Sequence, residues 1–152
     1  MSANLLQPEK IEILDFKIIL EQVNCPIDFE IEKVVGHSFN VDFELGFNLD
    51  DKLIKADFSV NIETKSKETV IKEANGVFRF LYVFYIDNIE ELTTVENDQT
   101  IALHPSLGNA LASITYSTSR GVLMARLQGT AFSDFILPII NPNNLVEKGT
   151  VY

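Results

Sequence analysis

The chain has 152 residues and a formal net charge of −10, and 46% of its residues are apolar and 22% charged. This length fits one domain with a sizeable core, and the composition is that of a globular protein. Phosphate binding needs a basic stripe and none is visible, so the charge argues against a nucleic-acid partner. Cys25 is the single cysteine, which excludes a disulfide within the chain. No secretory signal pattern opens the sequence and no apolar stretch reaches about 18 residues, which predicts a cytoplasmic protein without membrane insertion.

The first part of the chain shows the two-residue periodicity of half-buried strands. Apolar and polar side chains alternate over Leu14–Leu20, Phe39–Phe47 and Ala56–Ile62. Short polar turns at 48–51 and 64–67 are typical of hairpins, whereas the link from Asn24 to Ser38 is long enough to cross a sheet. The pattern predicts an antiparallel sheet with one face exposed to solvent.

A fourth run, 77–86, is apolar on both faces. One side carries Phe78, Phe80, Tyr82 and Phe84, and the other side carries Val77, Leu81, Val83 and Tyr85. A strand of this kind must be covered twice, by its own core and by something else. The run is preceded by 70–74, interpreted as a mixed strand, and Gly76 in the middle of the combined stretch predicts a bulge or a close backbone approach.

The pattern changes after Ile86. A short helical turn is predicted at 87–92, followed by a polar loop through Gln99 and a long helix at 105–128. The helix carries an apolar stripe and a second apolar set off the stripe, so we expect it to bury more than one face. The stripe is Leu107, Leu111, Ile114, Thr118, Val122 and Ala125, and the second set is Tyr116, Leu123 and Leu127. A closing apolar loop is predicted at 130–146.

The sequence carries no pattern of catalytic chemistry. Neither His37 nor His104 lies in a recognisable nucleophile context, and one cysteine with two dispersed histidines makes no zinc site. The carboxylates fall at the polar positions of strands, and no phosphate-binding glycine motif occurs. We therefore expect no enzyme, no cofactor and no metal.

The order of elements resembles the SecB family: four antiparallel strands, a glycine in the apolar fourth strand, one long C-terminal helix and a closing loop with proline. The most specific stretches are 68–78 and 113–138. The resemblance implies an α+β fold, with a four-stranded antiparallel sheet covered by the long helix, in a single SecB-like domain over 1–152. It also implies an ATP-independent chaperone for unfolded or nascent polypeptides, in some members linked to protein export.

The resemblance implies particular surfaces as well. The expected peptide-binding residues are Phe78, Phe80, Tyr82, Phe84, Leu123, Leu127, Phe135, Ile136 and Ile139. Export members dock on the SecA motor through acidic residues of the outer sheet face, and the matching positions here are Lys17, Glu21 and Lys67. Two of the three are basic, which puts SecA docking in doubt. The family forms homo-oligomers, a dimer or a dimer of dimers, and we expect self-association through strand one and the long helix.

Two other functions stay open at this point. One is a dedicated partner chaperone, of antitoxin type or an assembly factor, that binds one polypeptide without a SecA-linked role. The other is a small-molecule carrier or enzyme that uses the space between sheet and helix.

Overall fold

The structure is a computed structural model that describes residues 6–68, 72–97 and 100–148. Within this part the chain forms an α+β fold around a four-stranded antiparallel sheet. The elements in chain order are β1 (Ile11–Asn24), β2 (Val34–Asn48), β3 (Leu53–Ser66), β4 (Asn75–Ile86), α1 (Ile89–Leu92), β5 (Thr93–Asn97), β6 (Thr100–Leu103), α2 (Pro105–Arg126) and α3 (Asn143–Lys148).

The sheet order is β1-β4-β3-β2, which places the first two strands at opposite edges. The link 25–33 therefore crosses the whole sheet, as its length indicates. β2 pairs with β3 and β3 with β4, both antiparallel, as predicted for consecutive hairpin strands. The turn predicted at 48–51 lies between β2 and β3, whereas the turn predicted at 64–67 is misplaced, because 64–66 belong to β3. The class of fold expected from the sequence, an antiparallel sheet with a long helix, is confirmed.

One face of the sheet is the core. The side chains on this face of the two central strands are almost completely buried: Ile54, Ala56, Phe58, Val60 and Ile62 on β3, and Phe78, Phe80, Tyr82, Phe84 and Ile86 on β4. The other face of β4 carries Val77, Leu81, Val83 and Tyr85, which are half-buried. The phenylalanine face of this strand is therefore the core face.

Two bulges interrupt β1. The register against β4 shifts between Ile13 and Asp15 and again between Ile18 and Leu20. Because each extra residue moves the following side chains to the other face, the alternation predicted for Leu14–Leu20 is broken. Leu20 lies opposite Arg79 on the outer face, whereas the next residue lies on the core face.

Helix α2 begins at the predicted residue, with His104 as N-cap accepting a hydrogen bond from the Ser106 amide. It contacts the core face of the sheet through Ser119, whose hydroxyl lies 2.7 Å from the Tyr82 hydroxyl, and through Tyr116, whose ring packs edge-on against Phe58. No helix in the described ranges is long and apolar enough to span a membrane.

The buried face of α2 differs from the predicted stripe. It is formed by Leu107, Gly108, Leu111, Ala112, Thr115, Tyr116, Ser119 and Leu123. Thr118 and Ala125 of the stripe are exposed, and Ile114 and Val122 are half-buried. The second apolar set thus lies in the core, and the C-terminal half of the stripe forms an uncharged flank open to solvent.

The segment after α1 differs from the predicted polar loop. It is a two-stranded antiparallel hairpin of β5 and β6, in which Val95 lies opposite Ile101. Its strands of five and four residues are too short to show a clear period, which is why the sequence pattern missed them.

Gly76 is the second residue of β4 and carries no register shift. A Cβ at this position would lie 3.0 Å from the Phe78 ring and 3.4 Å from the Phe132 ring. The predicted bulge is therefore wrong, and the groups that approach this glycine closely are aromatic side chains rather than another backbone. The mixed strand predicted at 70–74 is also wrong where it is described, because 72–74 have no regular structure, and 69–71 lie outside the described residues.

Candidate functional site

The predicted peptide-binding residues fall into two groups. Seven are buried in the core: Phe78, Phe80, Tyr82, Phe84, Leu123, Leu127 and Phe135. Burial also raises the pKa of the Tyr82 phenol, which stays protonated beside Ser119. The other two, Ile136 and Ile139, are 56% and 88% exposed. Only these two are open to a client in this structure. The other seven were predicted to form a contact surface but are part of the core.

The two isoleucines lie on the segment that follows α2, here called the closing segment (130–142). Gly129, with φ +78°, reverses the chain at the end of the helix. The segment then returns beside α2, where the Tyr116 hydroxyl donates a hydrogen bond to the Pro138 carbonyl. It ends where α3 packs against the N-terminal half of α2, with Val146 against Gly108 and Asn143 hydrogen-bonded to Asn109.

On its other side the closing segment packs against the edge strand β2. The Phe135 ring lies 5.5 Å from the His37 ring and 5.6 Å from the Phe39 ring, centroid to centroid. His37 and Phe39 are half-buried, while Phe43 and Leu45 further along the same strand are fully buried. We use the name edge groove for the half-buried His37 and Phe39, the exposed Ile136 and Ile139, and the buried Phe135, whose ring contacts both His37 and Phe39.

The edge groove is mostly apolar. Residues 34–41 of β2 carry no carboxylate, lysine or arginine and His37 is their one titratable side chain, and Asp134 is the single acidic or basic residue of the closing segment. Within the described part of the chain β2 pairs only with β3, so the other side of its backbone is not paired with a strand. Such an edge, flanked by apolar side chains, has the chemistry to hold an extended apolar polypeptide.

Sequence reasoning found the closing-segment half of the groove and missed the β2 half. The alternation of 39–47 placed Phe39 on a strand but gave no sign that this strand is an edge. That information lies in the sheet order, because β2 becomes an edge only when the link 25–33 crosses the sheet.

A second apolar surface lies on β1, the other edge strand. Ile13, Leu14, Phe16, Ile19 and Leu20 are between 36% and 55% exposed. Phe16 lies on the core face, with its ring 5.0 Å from that of Tyr82. We call these five residues the β1 surface.

The three expected docking positions do not share one face. Lys17 lies opposite Leu81 on the outer face, and Lys67 lies in the turn after β3. Glu21 lies opposite Phe78 on the core face, where it pairs with Arg126 of α2 at 2.9 Å. This hydrogen-bonded guanidinium lowers the pKa of Glu21. The bulge at Ile19 separates Glu21 from Lys17, which corrects their expected placement on a common outer face.

No protein family model matches the sequence, and no curated protein matches it. Among solved structures, the chain is similar to a SecB-like chaperone of Mycobacterium tuberculosis, solved in complex with a ChAD peptide from the HigA1 antitoxin. The TM-score is 0.55 at 14% identity, over 87% of this chain and 91% of that chain. A Streptococcus agalactiae protein of unknown function matches with a TM-score of 0.37 at 11% identity, over 85% of this chain and 97% of that one, which supports no inference. At these identities the first similarity is one of fold.

Proposed function

We propose that this protein is a SecB-like, ATP-independent chaperone that holds unfolded or nascent polypeptides in extended form. It does no chemistry on them, uses no cofactor and works in the cytoplasm. The edge groove is the client site, and the long helix covers the core face of the sheet.

The observation that carries the proposal is the exposed apolar rim of the edge groove. Ile139 is 88% exposed and Ile136 56% exposed, and they follow Phe135, whose ring contacts His37 and Phe39 of the edge strand. Isolated exposed apolar residues are ordinary, but exposed apolar side chains close in sequence to a residue on an unpaired strand edge are what a peptide-binding surface requires. The net charge of −10 keeps a protein that displays such a strip dispersed.

The fold supports the same function. The structurally similar M. tuberculosis protein is a SecB-like chaperone, and it was solved with a peptide bound. That the bound peptide comes from an antitoxin favours a second candidate, a chaperone dedicated to one partner polypeptide. The two candidates share the site and differ in the number of clients.

A carrier of small molecules is less well supported. The space between the sheet and α2 is filled by side chains such as Phe58, Phe80 and Phe84, each at most 1% exposed. A role in protein export through SecA is also not part of the proposal, because Lys17 and Lys67 are basic and Glu21 is engaged with Arg126.

The proposal includes a homo-oligomer, a dimer or a dimer of dimers. An edge strand with five exposed apolar side chains makes a monomer prone to aggregate. Pairing of this strand with a second copy would bury these side chains. The uncharged flank of α2, with Thr118, Val122 and Ala125, offers a second contact.

An aggregation assay tests the function. We expect the protein to suppress the aggregation of several unrelated reduced proteins at roughly equimolar ratio, without nucleotide. Suppression for one partner alone supports the dedicated chaperone, and failure with every client refutes both candidates.

A further inference from the structure

The unpaired edge of β2 lacks the features that protect strand edges from other chains. After a register shift between Val34 and Gly36, the pairing of β2 with β3 is regular to Asn48. Residues 36–41 contain no proline and no carboxylate, lysine or arginine. Bulges, prolines and charged side chains are the means by which proteins keep an edge strand from pairing with another chain. This stretch can therefore accept a further strand.

The core face of this stretch is mostly apolar. Its side chains are half-buried and lie opposite the buried side chains of β3: His37, Phe39 and Val41. Phe135 packs against the first two rings, and the exposed Ile136 and Ile139 follow it in the chain. A strand added beside β2 would therefore meet apolar groups with the side chains that it turns to the core face.

The outer face of the same stretch is polar and uncharged. It carries Ser38 and Asn40, and Asn40 lies directly opposite Asn61 of β3. A cavity of about 280 Å³ extends from these side chains across the outer face of β3 and β4. Asparagine is depleted in strands, so two facing asparagines within long strands depart from the ordinary preference, and such departures are expected at functional contacts.

Because side chains alternate between the two faces of a strand, β2 would contact an added strand on both faces. On the outer face the neighbours of the added strand are Ser38 and the exposed Asn40. An apolar side chain beside Asn40 would remove water from its amide without replacing the hydrogen bonds. A hydroxyl or amide side chain can exchange hydrogen bonds with it, as cross-strand polar pairs do.

We propose that a client adds to residues 36–41 of β2 as a fifth strand of the sheet, and that the preferred segment alternates apolar and uncharged polar side chains. The apolar side chains turn to the core face and the polar ones to the outer face beside Asn40. This inference names the substrate class of the edge groove and therefore rests on the proposed function. A segment that is apolar at every position is then a poorer client than an alternating one.

Two synthetic peptides of identical composition test the preference. Both contain equal numbers of valine and threonine with the same charged residues at their ends, and the two residue types alternate in one peptide and form two blocks in the other. We expect the full-length protein to bind the alternating peptide about tenfold more tightly in fluorescence anisotropy, because only this peptide matches both faces of β2. Equal affinities for the two peptides would overturn the inference.

Methylation of peptide amides tests the strand pairing itself. The amides of an extended strand point alternately to its two sides, so the valine amides and the threonine amides of the alternating peptide lie on opposite edges. We expect N-methylation of one set to abolish binding and N-methylation of the other set to change the affinity by less than about twofold. Equal effects of the two sets would rule out pairing with β2.

A substitution in the protein tests the role of the outer face. Asn40→Leu should lower the preference for the alternating peptide from about tenfold to about twofold or less, because the amide is replaced by an apolar group. Asn75→Leu is the matched control, since Asn75 is exposed on the same face but lies on β4, two strands away from β2. We expect the control to keep the preference of the wild type. An Asn40→Leu variant that keeps the full preference would contradict the inference.

The outcomes separate the two proposals. If the wild type binds a reduced, carboxymethylated protein but does not distinguish the alternating peptide from the block peptide, the inference fails and the proposed function stands. If the wild type binds neither the unfolded protein nor the peptides, the proposed function fails and the inference fails with it.

Discussion

The client site depends on two side chains that the folded chain leaves exposed. Ile136 and Ile139 make little contact with the core, so replacing both with serine should leave the melting temperature close to that of the wild type. Covering an isoleucine contributes up to about 1.5–3 kcal/mol, and partial cover contributes less. We expect the Ile136→Ser/Ile139→Ser variant to bind an unfolded client at least about tenfold more weakly, measured by fluorescence anisotropy.

Val95→Ser provides the control for this pair. Val95 is 60% exposed on the β5–β6 hairpin and lies outside the edge groove, so its replacement should leave client affinity unchanged. Equal weakening by the control would mean that client binding follows general surface hydrophobicity rather than the groove.

Single residues also show where sequence reasoning stops. The two-residue alternation of β1 predicted Lys17 and Glu21 on the same face. Because of the bulge at Ile19, Glu21 lies instead on the core face beside Arg126. A bulge depends on how a strand pairs with its neighbour, which the sequence of the strand itself does not contain. On β4, which lacks a bulge in its register with β3, the two-residue alternation grouped the side chains of each face correctly, but the sequence did not tell which face is the core.

At the scale of elements, long and regular patterns were predictable and short or edge features were not. The central parts of β2, β3 and β4 follow from the alternation at 39–47, 56–62 and 77–86, and α2 follows from helical spacing, while the ends of β2 and β3 extend beyond the predicted runs. The β5–β6 hairpin was missed because its strands are short. Half of the edge groove was missed because His37 and Phe39 become accessible only through the sheet order.

The β1 edge yields a prediction about assembly. Charges at Leu14 and Ile19, which are 55% and 48% exposed, oppose burial of this edge against a second copy. We expect the wild type to scatter light as a dimer or larger species, and Leu14→Glu/Ile19→Glu to shift towards the 17.1 kDa monomer.

A glutamate placed outside the β1 surface is the control for this prediction. Val95→Glu adds one carboxylate at an exposed site on the hairpin, and we expect it to leave the assembly intact. A wild type that is monomeric at tens of micromolar, on the order of where stable interfaces survive, would remove the role assigned to the β1 surface.

For the molecule as a whole, the account assigns all binding to apolar contact and backbone pairing. Because the proposed client binding needs neither ATP nor a divalent metal, we expect nucleotide and EDTA to leave suppression of aggregation unchanged. Loss of activity in EDTA would contradict the account, because it would require a metal site that the account does not contain.

Binding of an unfolded polypeptide is the central claim, and one titration tests it most directly. A single client protein is compared in its folded form and in its reduced, carboxymethylated form by isothermal calorimetry with the full-length chain. The account predicts saturable binding of the unfolded form with a negative heat-capacity change, the mark of apolar burial, and no binding of the folded form. Equal binding of both forms, or binding of neither, would contradict it.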